Sequence, residues 1–127
     1  MITTGDIATI LVRDLMPLGI VTYKKGALPE GKVLTERITV IPKEPKPTAF
    51  WIRGFVEVNF YIPDVNGLAN TKRLTELERR ASSLRSVSFF DGSAYRYKVF
   101  SSSQENDPVL KCHFVNIKIL FEVLNVR

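Results

Sequence analysis

The chain has one cysteine and one histidine in 127 residues. A single cysteine, Cys112, excludes an intramolecular disulfide framework and a multi-cysteine zinc site, and it fits a reducing compartment. A single histidine, His113, leaves Ser-His-Asp or Cys-His chemistry one base to use. The two residues are adjacent in a predicted strand, where successive side chains point to opposite faces, so a Cys112–His113 dyad is geometrically poor. Cys112 reads as a small apolar filler and His113 as a sheet-face residue. There is no phosphate-binding glycine motif, paired-histidine metal motif or calcium loop. Glu36, Glu57, Asp64 and Glu78 fall in different predicted elements, so the sequence brings no two acids together. The expectation is a protein that is not an enzyme, with no catalytic residue, metal or cofactor. No apolar run approaches the ~18–20 residues that span a bilayer. The opening MITTGDIATILVRDLMPLG has no basic stretch ahead of an apolar one and carries Asp6, Arg13 and Asp14. It does not read as a signal peptide, and synthesis and use in a cytoplasm are expected.

What is present is ordinary in bulk. Hydrophobic residues make up 45% and charged residues 24%. A single domain over residues 1–127 is expected, burying roughly two-thirds of its unfolded surface. Eighteen basic residues against 13 acidic give a net charge of +5. That mild excess suits a solvated surface. It also admits a second reading, a small basic nucleic-acid-binding protein. Phe89, Phe90, Tyr95 and Tyr97 are interleaved with Arg85, Arg96 and Lys98, and aromatics beside cations can stack on single-stranded bases. The same alternation describes any half-buried strand.

Periodicity supplies the elements. Thr3 to Leu15 reads as a helix, with Thr3 or Thr4 as cap, Asp6 at its positive end and a stripe of Ile7, Ile10, Leu11 and Leu15. Pro17 and Gly19 end it. Gly19 to Tyr23 is a short strand, Lys24 to about Leu34 a basic loop, and Arg37 to Ile41 (RITVI) a strand. Pro42 to Thr48 (PKEPKPT) reads as a stiff exposed connector, because proline cannot join a sheet interior. Phe50 to Ile62 is a long strand in which Gly54 marks a bulge or bend. Asp64 to Gly67 is a turn. A helix from about Leu68 to Leu84 carries the stripe Leu74, Leu77, Ala81 and Leu84, with Glu76 placed to pair with Arg79 or Arg80. Ala94 to Phe100 is a strand, SSSQENDP a polar hairpin loop, and Val109 to Val126 a long alternating strand. The order α-β-β-β-α-β-β predicts an α+β fold. We expect a two-layer sandwich, with two helices packed on one face of a mostly antiparallel sheet.

The long strand has two usable faces. Val56, Val58, Phe60 and Ile62 should lie under the helices. Phe55, Glu57, Asn59 and Tyr61 should lie on the open face, as a candidate subunit interface with Phe55 and Tyr61 as aromatic anchors. Trp51 reads as a core or interface anchor. Lys24, Lys25, Lys32, Lys43 and Lys46, on long basic loops, are candidate partner-facing residues.

The layout resembles one known family. A helix, a short strand, a long loop, RITVI and a Pro-rich connector lead into FVEVNFYIPD. That strand turns through Asp and Gly into ANTKRLTELERRASSLR, and two strands follow. This is similar to the small tail-terminator and head-tail-joining proteins of long-tailed bacteriophages, also known as tail completion or minor capsid components. The resemblance covers nearly the whole chain as a layout, and its most specific part is the strand-turn-helix unit from Val56 to Leu84. It implies a structural protein of the virion, assembled in the host cytoplasm. Such proteins form a homo-oligomeric ring, commonly a hexamer, at the end of the tail tube. The ring stops tube growth and offers a surface to head-connector proteins, with DNA only as passing lumen contents. Those lumens are more often acidic, so the positive charge here departs from the family's pattern.

Overall fold

The computed structural model describes residues 2–25, 27, 33–47 and 50–124. The chain is α+β. Helix α1 spans Thr4–Leu15, with a 3-10 turn Met16–Leu18 after it. Then come β1 (Val21–Lys24), β2 (Arg37–Pro42), β3 (Lys46–Pro47), β4 (Trp51–Pro63), α2 (Thr71–Ala81), β5 (Arg85–Phe90), β6 (Ser93–Asp107) and β7 (Cys112–Leu124). The strands form one mixed sheet in the order β1-β2-β4-β7-β6-β5, and β3 also pairs with β4. Only β1 and β2 run parallel; every other pairing is antiparallel.

Local chemistry accounts for the helix ends. Thr3 Oγ1 accepts from the Asp6 N–H at 3.1 Å and Asp6 Oδ2 accepts from the Thr3 N–H at 2.9 Å, a reciprocal cap on α1. The helix stops at Pro17 and at Gly19, which holds a left-handed φ of 72°. Asn70 caps α2 through the Arg73 N–H. The turn before it, Asn66-Gly67, has φ of 53° and 75°, the left-handed pair of a tight reversal. Helix α2 therefore starts later and ends earlier than the expected Leu68–Leu84 span. The bidentate pair of Arg73 with Glu36, at 2.7 and 2.8 Å, ties it to the segment before β2.

Both apolar stripes meet the sheet. Ile7, Ile10, Leu11 and Leu15 of α1 and Leu74, Leu77 and Ala81 of α2 belong to one buried cluster. So do Val56, Val58, Phe60 and Ile62 of β4 and Val115, Ile117, Ile119, Phe121 and Val123 of β7. Each fully buried Leu, Ile or Phe here contributes about 1.5–3 kcal/mol relative to exposure.

Four expectations are corrected. The order is α-β-β-β-β-α-β-β-β, with β3 and β5 added. Ser101–Asp107 is not a loop: it continues β6 opposite Cys112–Lys118. A bulge at Phe100, between Val99 and Ser101, resets the faces so that polar residues follow the apolar ones. Gly54 is not bulged, since β4 pairs β7 without a break from Trp51 to Pro63. The extra residue lies opposite it, where residues 43–45 face Gly54 and Phe55 between the pairs Pro42↔Val56 and Lys46↔Arg53. Pro47 does join the sheet, but at an edge pairing, which is where proline is tolerated.

Candidate functional site

The open face of β4 is built from cross-strand rungs. Thr39, Asn59, Asn116 and Ser103 lie side by side across β2, β4, β7 and β6. Asn116 Nδ2 donates to Asn59 Oδ1 at 2.7 Å. Arg37 lies across from Tyr61, its guanidinium 5.8 Å from the ring centroid, and Tyr61 packs on Phe114 at 5.1 Å. Phe55 meets Phe100 edge-on at 5.1 Å. Alternation along β6 puts Phe100 on this face with Arg96 and Lys98, opposite the inward Val99.

Of the four candidate interface residues, Phe55, Glu57 and Tyr61 are half-buried on this face. Asn59 is only 7% exposed. Its neighbours cover it, and its side-chain carbonyl accepts from Asn116. Thr39 on the same rung is buried, with no hydrogen-bond partner for its Oγ1 among the described residues.

The structure brings two sets of sequence candidates into one hollow. Lys43 and Lys46 of the Pro-rich connector and Phe55 and Glu57 of β4 line a depression of about 400 Å³, together with Glu44, Arg53, Gly54 and Lys118. The connector is held against β4. The Lys43 N–H donates to the Phe55 carbonyl at 2.9 Å, and Pro45 seats over Gly54, where there is no Cβ to block it. Lys43 pairs with Glu57 at 3.3 Å. Lys118 Nζ stands 5.0 Å from the Phe55 centroid, a cation over an aromatic face. Among the described residues Lys46 has no ion pair, and Lys118 stands across from Glu57 without an ion pair of its own. The hollow thus combines an apolar floor with a surplus of positive charge.

Beside it lies a paired-cation cluster. Glu122 accepts from Arg53 Nε at 2.7 Å and from Arg96 Nε at 2.9 Å, and Arg96 stacks 3.9 Å over the Trp51 ring. Burial pushes the Glu122 carboxyl up, but the two arginines outweigh it and hold it below the usual carboxylate range.

The other candidates lie elsewhere. Lys24 is the last residue of β1 and bonds Thr9 Oγ1 at 2.8 Å, so it is tied to α1. Lys25 is exposed in the turn after it. Lys32 lies outside the described residues. Tyr95 and Tyr97 cannot stack on bases: both are buried in the core against Phe121, at 5.3 and 5.7 Å. Their hydroxyls reach α1, where Tyr95 accepts from Arg13 and Tyr97 donates to Asp14 at 2.6 Å. Phe89 is exposed, as are Arg85, Arg96 and Lys98.

No two of the acids weighed for catalysis converge: Glu36 pairs with Arg73, Glu57 with Lys43, and Glu78 accepts from Ser102 and Gln104. Asp64 does meet a base, with His113 Nδ1 2.7 Å from Asp64 Oδ1, in an open hollow of about 620 Å³. Cys112 is buried, and burial first, then Asp107 and Asp64, pushes its thiol up to about 11. It is no activated nucleophile. Among the described residues no three His, Cys, Asp or Glu gather as a metal site, and no helix is long and apolar enough to cross a membrane.

Sequence reasoning missed Arg53, which reaches the hollow opposite Lys46 of β3, and Lys118, which reaches it opposite Glu57 through the β4–β7 pairing. It also missed β5, which carries exposed Val87 and Phe89 on an outer edge of the sheet. A signal for β5 was present: Asp91-Gly92, with φ of 50° and 78°, is a strong hairpin dipeptide after an alternating run.

No family model and no curated protein matches the chain. A solved structure is similar in fold, with a TM-score of 0.59 at 13% identity over 94% of this chain and 97% of that one. The name of that protein describes no activity.

Proposed function

We propose that this chain is a structural phage tail-assembly protein, a ring-forming subunit of the tail-terminator or head-tail-joining kind, and not an enzyme. Its working place on this reading is the virion, against tail-tube and head-connector proteins. The observation that carries the proposal is a sheet whose two outer strands, β1 and β5, both expose apolar side chains. Val21 is 60% exposed on one, and Val87 and Phe89 are 81% and 72% exposed on the other. Strands with unpaired edges and apolar side chains are templates for association. Two dissimilar edges on one subunit suit the head-to-tail contacts from which a ring closes. We extend the proposal to the layering, a two-layer sandwich with both helices on one face, which the single shared core cluster supports.

Native mass spectrometry over a concentration series, with and without tail-tube protein from the same genome, tests it. The reading predicts a discrete closed oligomer, either free or on the tube. A strict monomer that binds no tube contradicts it.

The second reading, nucleic-acid binding, draws on exposed Phe89 beside exposed Arg85, Arg96 and Lys98. It predicts salt-dependent binding to single-stranded DNA or RNA with a slope that counts phosphate contacts. No binding at low salt removes it.

A further inference from the structure

We infer that the cationic hollow around Phe55 receives the β6–β7 hairpin tip of a second copy of this chain. The inference rests on the ring reading above and supplies its contact.

The tip is the chemical complement of the hollow. Residues 105–109 read Glu-Asn-Asp-Pro-Val. Glu105 is exposed at the end of β6, Asp107 is half-buried beside it, and Val109 is 84% exposed in the turn between β6 and β7. An apolar side chain therefore stands forward just after two carboxylates, with exposed Lys111 two residues beyond it. The tip is also stiff. Asp107 Oδ1 accepts from the Leu110 N–H at 3.0 Å, and the Leu110 carbonyl accepts from the Val33 N–H at 3.1 Å. A preformed tip loses little freedom on docking. The hollow offers Phe55 as floor and, as cations with no ion pair among the described residues, Lys46 and Lys118, against Glu44 and the Lys43-paired Glu57.

Position makes the contact propagate. The hollow sits at residues 53–57 of β4, and the tip lies beyond its other end, where Pro63 pairs with Cys112. Eight residues of strand separate Phe55 from Pro63, about 26 Å at ~3.3 Å per residue. A subunit cannot fold its own tip into its own hollow over that straight distance. Tip and hollow on opposite ends make a heterologous contact, which closes into a ring when the rotation between copies divides a full turn.

The test uses two full-length variants, Val109→Cys and Lys46→Cys, mixed and gently oxidised with and without tail tubes. The native Cys112 is buried and stays out of the reaction. The expected result is a mixed disulfide-linked dimer at least tenfold more abundant than any dimer from either variant alone. It should fade at high salt or when Lys118→Glu is added to the Lys46→Cys chain. Wild-type oligomers that form without a mixed cross-link overturn the tip-in-hollow contact and leave the ring reading standing. A wild type that never self-associates, with or without tubes, overturns both.

Discussion

Pro45 lies directly over Gly54: a Cβ built on Gly54 stands 3.0 Å from the Pro45 Cα. The glycine holds the Pro-rich connector against β4 and so sets where Lys43 and Lys46 stand relative to Phe55. Gly54→Val forces the backbone of the connector outward. It should lower stability by about 1–3 kcal/mol, the usual cost of overpacking. Urea unfolding checks this, with a lower midpoint and an unchanged slope as the expected outcome.

The acid limb of stability should depend on three carboxyls held below their ordinary range. Asp6 is lowered by the Thr3 backbone N–H and hydroxyl, and Glu78 by the Ser102 hydroxyl and then Gln104. At Glu122, burial acts in the opposite sense and the hydrogen bonds from Arg96 and Arg53 prevail. A carboxyl with a depressed folded-state pKa contributes stability that is complete above its unfolded pKa, about 4–4.5. That stability is lost as pH falls toward the folded value. Glu122→Gln should cost about 1–2 kcal/mol at pH 7, discounted because both arginines are half in solvent. It should also flatten the loss between pH 5 and 3. Urea titrations at stepped pH measure both.

The alkaline limb works with the opposite sign. Burial, then the bond to Asp14, raises the Tyr97 phenol beyond the usual tyrosine range, and burial raises Cys112 to about 11. Their unfolded pKa values are about 10 and 8.5. Above those values the unfolded chain releases protons that the folded chain keeps, so stability falls as pH rises. Tyr97→Phe leaves Asp14 without its 2.6 Å donor and should cost about 1–2 kcal/mol at pH 7. It should also remove the raised Tyr97 phenol from the ultraviolet titration curve.

Two surface pairs separate assembly from folding. Val87→Ser with Phe89→Ser alters exposed positions on β5 and should change stability by no more than about 0.5 kcal/mol while weakening self-association. Phe55→Ser with Tyr61→Ser also removes the contacts to Phe100 and Phe114, each worth about 0.5–1.5 kcal/mol beyond buried area. That pair should fold with reduced stability and assemble poorly. Circular dichroism melts and sedimentation velocity report the two effects separately.

Much of the fold was legible because period alone reveals it. The stripes of α1 and α2 and the two faces of β4 and β7 are written at spacings of 3.6 and 2. The strand β5 is poorly legible because four of its six residues are exposed and, of its apolar side chains, Phe90 alone packs against the core. Ser101–Asp107 looked like a loop because, past the bulge at Phe100, every pairing is with a polar residue of β6. The hollow was half legible. Lys43, Lys46, Phe55 and Glu57 were named as separate loop and face residues, and only the bulged connector brings them together. Lys118 enters through its pairing with Glu57, 61 positions earlier, and Arg53 through its pairing with Lys46 across the connector, neither of which local sequence encodes.

Electron microscopy of tail tubes incubated with the chain tests the proposed structural role most directly. The account predicts an annular cap at one end of each tube and an arrest of further tube growth when more tube subunit is added. Tubes that stay uncapped and elongate at the same rate in excess of the chain contradict it.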